Sequence, residues 1–246
     1  FRSRGFDFET LQTLKGNPSL GQTRIDNVDL KLEHYPTLGE MISAGVFYKH
    51  FSDPIEQTQV LEAVNEELTW SNVPYADVMG VEFEAKKDLA NVTSSRFFKD
   101  LSISGNVTLI RSSVKIPEAE LESIRAQDPN HPDTRALFGQ APYIINGVMT
   151  YINDSADFVT TLSFNVQGPK VFLVTQGALP NVMQQPTPTL DLSLGKGWGE
   201  NFRIGFKARN LLNPRNRLTH EFKGVMYDWS SFTRGRTYSV SLSYSI

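Results

Sequence analysis

The chain has 246 residues, 39% of them hydrophobic and 21% charged, with a net charge of −3. It contains no cysteine, which excludes a disulfide scaffold, a thiolate metal site and a cysteine nucleophile together; the balanced charge offers no basic surface for nucleic acid. Mean hydropathy is −0.30, and no apolar run approaches the roughly 18 residues of a spanning helix, so any membrane crossing must be made by strands, whose alternating faces average to a soluble-looking value.

Residues 1–23, with Phe6-Asp7-Phe8 and the turn cluster Gly16-Asn17-Pro18, are expected to form a loop. Period-two alternation begins at 24–35, where Asn27, Asp29, Lys31 and Glu33 oppose Val28, Leu30 and Leu32. A short turn leads to a strand at 41–51 with Ile42, Ala44, Val46 and Tyr48 on one side, stopped by Asp53-Pro54. One long strand is predicted over 67–87, with Met79, Val81, Phe83 and Ala85 against Gly80, Glu82, Glu84 and Lys86. At 101–116, Leu101, Ile103, Val107 and Leu109 oppose Ser102, Ser104, Asn106 and Thr108.

The insertion 117–140 carries a predicted short helix at 118–127, ended by the Asp-Pro and His-Pro breakers. Strands follow at 142–152 and 158–167 around a tight turn, then a Pro-rich loop at 168–187. A strand at 189–196 sets Leu190, Leu192 and Leu194 against Asp191 and Ser193. Past a Gly-Trp-Gly turn, 201–211 sets Phe202, Ile204, Phe206 and Ala208 against Arg203, Gly205, Lys207 and Arg209. The final segment, 237–246, places Thr or Ser at every odd position and Tyr238, Val240, Leu242, Tyr244 and Ile246 at every even one.

Nine strands with alternately short and long connections describe the all-β class and, within it, a transmembrane antiparallel β-barrel. Only the connection at 88–100 is longer than that rule predicts. The apolar sets would then face lipid: Val28, Leu30, Leu32, Ile42, Val46, Tyr48, Leu101, Ile103, Val107, Leu109, Leu190, Leu192, Leu194, Phe202, Ile204, Phe206, Tyr238, Val240, Leu242 and Tyr244. Asn27, Asp29, Lys31, Glu33, Glu82, Glu84, Arg203, Lys207 and Arg209 would face the lumen. A soluble β-sandwich alternates too, but does not systematically alternate short with long loops, and its solvent faces are richer in Lys and Glu than the Ser, Thr, Asn and Gly of several strands here.

The residues suggest no catalyst. The His residues at 34, 50, 131 and 220 lack the close spacing of a helical metal site. Glu118, Glu120 and Glu122 read as the solvated face of a loop helix, and Asp128 and Asp133 as turn formers, with a calcium loop the weaker alternative. No phosphate-binding Gly loop and no nucleophile elbow is found. The expectation is a non-enzyme without cofactor or catalytic residue. The chain does not open on Met and shows no basic segment followed by an apolar core, so it reads as a mature or truncated polypeptide without a signal peptide.

Gly16-Asn17-Pro18-Ser19-Leu20, followed by Arg24-Ile25-Asp26-Asn27-Val28-Asp29-Leu30 and Glu33-His34-Tyr35-Pro36, resembles the C-terminal barrel region of TonB-dependent outer-membrane receptors. Similar to that family in the same order are Gly45-Val46-Phe47-Tyr48-Lys49 with Asp53-Pro54-Ile55-Glu56, then Gly80-Val81-Glu82-Phe83-Glu84 with Met79 in place of a Tyr. Ala208-Arg209-Asn210-Leu211-Leu212-Asn213-Pro214 and Gly235-Arg236-Thr237-Tyr238 complete the series. Gln22 stands where a Pro is common, and Ile246 where the family usually ends in an aromatic residue.

The resemblance implies that residues 1–246 are the C-terminal part of one barrel of roughly 22 strands, with 1–23 as an outer loop and the plug domain absent. It further implies a bacterial outer-membrane location and energy-coupled uptake of a scarce nutrient of siderophore, vitamin, glycan or peptide class. Its partners would be outer-membrane lipid, the remainder of the receptor or a second chain carrying the plug, an inner-membrane energy-coupling protein reached through the plug, and a surface lipoprotein. A surface-scaffold barrel that docks partners without transport is the alternative. Specificity would lie in the outer loops 52–66, 117–140, 168–187 and 212–234.

Overall fold

A computed structural model describes residues 4–7, 12–60, 67–92, 95–175, 179–222 and 224–245. Phe8 of the N-terminal aromatic cluster and Ile246 of the final alternation lie outside them. The wall of the molecule is a meander of β1 (Arg24–His34), β2 (Met41–Ser52), β3 (Tyr75–Asp88), β4 (Leu101–Lys115), β5 (Tyr143–Asn153), β6 (Phe158–Gln167), β7 (Thr189–Trp198), β8 (Phe202–Arg209) and β9 (Thr237–Tyr244). Each wall strand pairs antiparallel with its neighbours in chain order, and β1 and β9 are the two edges of an open sheet.

These segments become strands because their side chains alternate with the pleat and so give each face one environment. The wall strands match the expected ones to within a residue or two at most ends. The single strand expected over 67–87 is instead two, Glu67–Asn72 and Tyr75–Asp88. Pro54 and Pro74 interrupt the ladder at facing positions, since neither has an N–H to donate. There Val73 N–H donates to Pro54 O (2.9 Å) and Asp53 N–H to Pro74 O (3.2 Å), closing the wall beneath an outer hairpin. Likewise Gly197 and Trp198 belong to β7, and the turn begins at Gly199, where φ is +62°.

On one side of the wall the connections are the turns 35–40, 154–157 and 199–201 and the longer 89–100; on the other, all connections are long. The long ones build a second layer of structure rather than open loop. Ile55–Val60 and Glu67–Asn72 form a hairpin that also recruits Gln12–Lys15 and Arg4–Asp7, so part of the expected N-terminal loop is strand. Lys170–Leu173, Val182–Gln184, Arg215–Phe222 and Val225–Thr233 form a second small sheet. Leu14 and Leu68 of the first meet Leu173, Val182, Leu218 and Trp229 of the second in one apolar cluster. The helix Glu118–Arg125 lies where expected and buries Leu121.

Candidate functional site

The pairing register gives the wall two chemically different faces. Leu30, Val46, Val81, Leu109 and Tyr143 stand opposite one another in one row across five strands. Leu194, Phe206 and Val240 continue the same face on the C-terminal strands. Every apolar residue singled out from the alternation lies on this face, and most, from Val28 to Tyr244, are exposed. Leu101, at 6% exposure, and Ala208, at 2%, are buried, while Val107, Leu190, Leu192, Leu194, Ile204 and Phe206 are half-buried. An outward face of large aliphatics is costly in water at about 25 cal/mol per Å² and needs an apolar neighbour.

Asn27, Asp29, Lys31, Glu33, Glu82, Glu84, Arg203, Lys207 and Arg209 all fall on the opposite, polar face. Lys31 bridges Glu33 (2.9 Å) and Glu84 (3.5 Å), and Arg203 pairs with Asp157 (2.8 Å). These pairs are exposed, so solvent screening leaves them little net stabilisation. Between the charged strands runs an amide ladder that sequence reading missed. Asn165 Nδ2 donates to Asn146 Oδ1 (2.5 Å), and Asn146 Nδ2 to Asn106 Oδ1 (2.7 Å), across β6, β5 and β4. The signal was an Asn in polar phase on each strand; only the register shows that they align.

At the mouth, on the long-connection side, the loops fold over the polar face. Leu137 packs on Phe51, Ala76 and Val114, all polar-face positions, and its N–H donates to Ser112 Oγ (3.1 Å). Arg135 reaches across to Glu56 in the outer hairpin, their side chains 9% and 1% exposed. Arg135 Nη1 donates to Glu56 Oε1 (2.9 Å), and Phe138 N–H donates to the same oxygen (3.1 Å). Parallel bridges Thr58↔Val174 and Phe138↔Val171 tie the loops further.

Between the 116–142 connection and the second small sheet opens a cleft of about 950 Å³, lined among others by Glu120, Ile124, His131, Arg135, Asn181 and Phe222. Glu120 and Ile124 are four apart and so share one helix face. Contrary to the expectation of a solvated carboxylate, burial pushes the Glu120 carboxyl above its usual range, against the opposing effect of Arg135. The helix sits under the neighbouring loop, which sequence spacing could not reveal. Asp133 is held by Lys115 (2.6 Å), which depresses its carboxyl, and Asp128 lies 3.4 Å from His131 Nδ1. Three of the four loops expected to set specificity thus meet at one cleft.

The model of the family described as TonB dependent receptor-like, beta-barrel matches residues 3–211. No curated relative matches the chain by sequence. Among solved structures, the ferric enterobactin receptor of Pseudomonas aeruginosa in complex with enterobactin is similar at TM-score 0.57 and 19% identity, covering 94% of this chain and 33% of its own. The ferric yersiniabactin uptake receptor of Yersinia pestis gives 0.56 and 22%, covering 90% and 30%. The copper transporter OprC gives 0.62 and 13%, covering 93% and 32%. The chain therefore spans about a third of the length of these receptors. With its family model matched over most of its length and its fold shared with them, the chain belongs to the TonB-dependent receptor-like β-barrel family of the bacterial outer membrane.

Proposed function

We propose that this chain is the C-terminal wall of an outer-membrane receptor that imports a scarce nutrient by energy-coupled uptake. The observation that carries the reading is the register: a predominantly apolar face backs a predominantly polar one across all nine wall strands, and the long connections fold over the polar side. In this reading Val28, Leu30, Leu32, Val240, Leu242 and their row-mates meet lipid. Asp29, Glu33, Glu82, Glu84, Arg203, Lys207 and Arg209 line the lumen, and the loop cleft takes the ligand first. The edges β1 and β9 pair with strands outside residues 24–244, because an unpaired edge in hydrocarbon leaves N–H and C=O groups without partners. A plug and an inner-membrane coupling protein supply the energy link.

The similar receptors are named for ferric enterobactin, ferric yersiniabactin and copper, so metal chelates are the first ligands to try. The test compares uptake of labelled chelates by cells with the intact receptor, without it, and with residues 117–140 removed, each with and without the inner-membrane proton gradient. Uptake that needs the receptor, the loop and the gradient supports import. An assembled receptor that leaves uptake of every chelate unchanged and copurifies with a surface lipoprotein would mean a docking scaffold instead.

A further inference from the structure

The two ends of the apolar face are not built alike. At the short-turn end, β5 to β9 each place an aromatic on the apolar face within the last few residues: Tyr151, Phe158, Trp198, Phe202 and Tyr244. Trp198, Phe202 and Tyr244 stand in one row. The corresponding positions of β1 to β4 are His34, Ile42, Lys87 and Leu101, none aromatic in the sense of a Phe, Tyr or Trp girdle. That gap falls where the turn is longest. The 89–100 connection contains the short helix Arg96–Lys99.

The part of the connection from 95 to 100 lies against the apolar face. The Phe97 ring stacks on Tyr151 (5.1 Å between centroids, 22° between planes), and Phe98 meets Phe97 edge-on at 5.4 Å. Leu101, opposite Tyr151 at the start of β4, is buried. Two hydrogen bonds hold the stem: Ile152 N–H to Asp100 O and Asn153 Nδ2 to Asp100 Oδ2, both 2.8 Å. Yet Val92, Phe97 and Phe98 remain 62%, 56% and 42% exposed, next to an exposed Lys99. A soluble turn would bury such rings or do without them.

We propose that the 89–100 connection is a membrane-interface anchor: Phe97 and Phe98 sit at the headgroup boundary of the adjoining lipid leaflet and continue the aromatic row that β1 to β4 lack. Aromatic rings favour that depth, and a lysine beside them can extend its ammonium to headgroup phosphates while its stem stays apolar. The occupant is lipid because the segment is continuous with the apolar face, and the inference rests on the reading of that face as lipid-facing.

The absence of native cysteine in these residues makes spin labelling direct. Nitroxides are placed at Phe98→Cys and, separately, Val92→Cys in the intact receptor in phospholipid vesicles. Val240→Cys serves as a mid-band reference and Ser239→Cys as a polar-face one, with accessibility read against oxygen and a water-soluble nickel chelate. The labels at 98 and 92 are expected to give oxygen-to-nickel ratios between those of the two references. A ratio at 98 and 92 equal to that of Ser239 means the turn stands in water and overturns the anchor while leaving the lipid face intact. Shielding from both relaxants means a protein covers it, and also overturns the proposal. Nickel access at Val240 overturns the lipid face itself, and the anchor with it.

Discussion

Arg135 and Glu56 show how much one buried pair can hold. The carboxylate accepts from the guanidinium and from Phe138 N–H, so two outer connections are joined through one side chain. Removing one partner leaves a buried charge alone, whereas replacing both with apolar groups of similar volume removes the desolvation cost as well. Arg135→Ala is therefore expected to destabilise the loop layer by about 3–5 kcal/mol, seen as earlier protease cleavage within 116–142 on heating. Glu56→Leu with Arg135→Met should recover much of that loss, helped by the fact that Arg135 Nε is buried without a hydrogen-bond partner among the described residues. Glu120 gives the pH dependence. Burial raises its folded-state pKa, so the neutral form is favoured in the fold. Its contribution is fully present below the ordinary carboxylate value and is lost as pH rises through the raised one. Glu120→Gln should flatten that slope and stabilise the loop at neutral pH, measured by amide exchange of the 118–125 helix across pH.

Among the wall strands, Gly80 is opposite Phe47 on the polar face. A Cβ built there would stand 2.4 Å from Phe47 Cζ and 2.6 Å from Leu109 O, so the ring occupies the space over the glycine. Gly80→Ala should expel Phe47 and cost about 1–3 kcal/mol, visible as a lower Tm of the purified receptor. The two faces should also differ under charge insertion. Val240→Lys, in the middle of the apolar face, is expected to cost about 2–4 kcal/mol in lipid. Ser239→Lys, one residue away on the other face, should carry no comparable penalty in the same folding titration. That contrast follows from the alternation, and the alternation is why β1 to β9 were legible in the chain: large apolar residues recur at every second position of most strands, even though β5 also sets Ile144, Val148 and Ile152 on the polar face. The loop strands were not. Arg215–Phe222 and Val225–Thr233 shift register between Leu218 and Thr219, and a bulge puts successive side chains out of phase. The hairpin Ile55–Val60 with Glu67–Asn72 hides behind two prolines. The cleft was less legible still, because Glu56 and Arg135 meet only through loop packing that no local pattern encodes.

At the scale of the whole molecule, the open sheet sets the strongest constraint. Among the described residues β1 pairs only with β2 and β9 only with β8, so each edge presents a row of backbone donors and acceptors. In water such an edge invites aggregation; in hydrocarbon each unsatisfied group costs several kcal/mol. The tilt and stagger of closure also have to match strand number, and nine antiparallel strands in sequence leave two edges running the same way, which cannot complete an antiparallel ladder with each other. Extraction of the native receptor in detergent, followed by intact-mass analysis, is therefore expected to find these residues within a polypeptide several times the 27.7 kDa of this chain, or beside a second one of barrel sequence. If the residues came out as a folded, detergent-free monomer of that mass, the apolar face would have to be covered by something other than lipid. Recovery in a heavier membrane species would instead place the missing strands between β9 and β1, with the polar face and its amide ladder turned toward whatever those strands enclose.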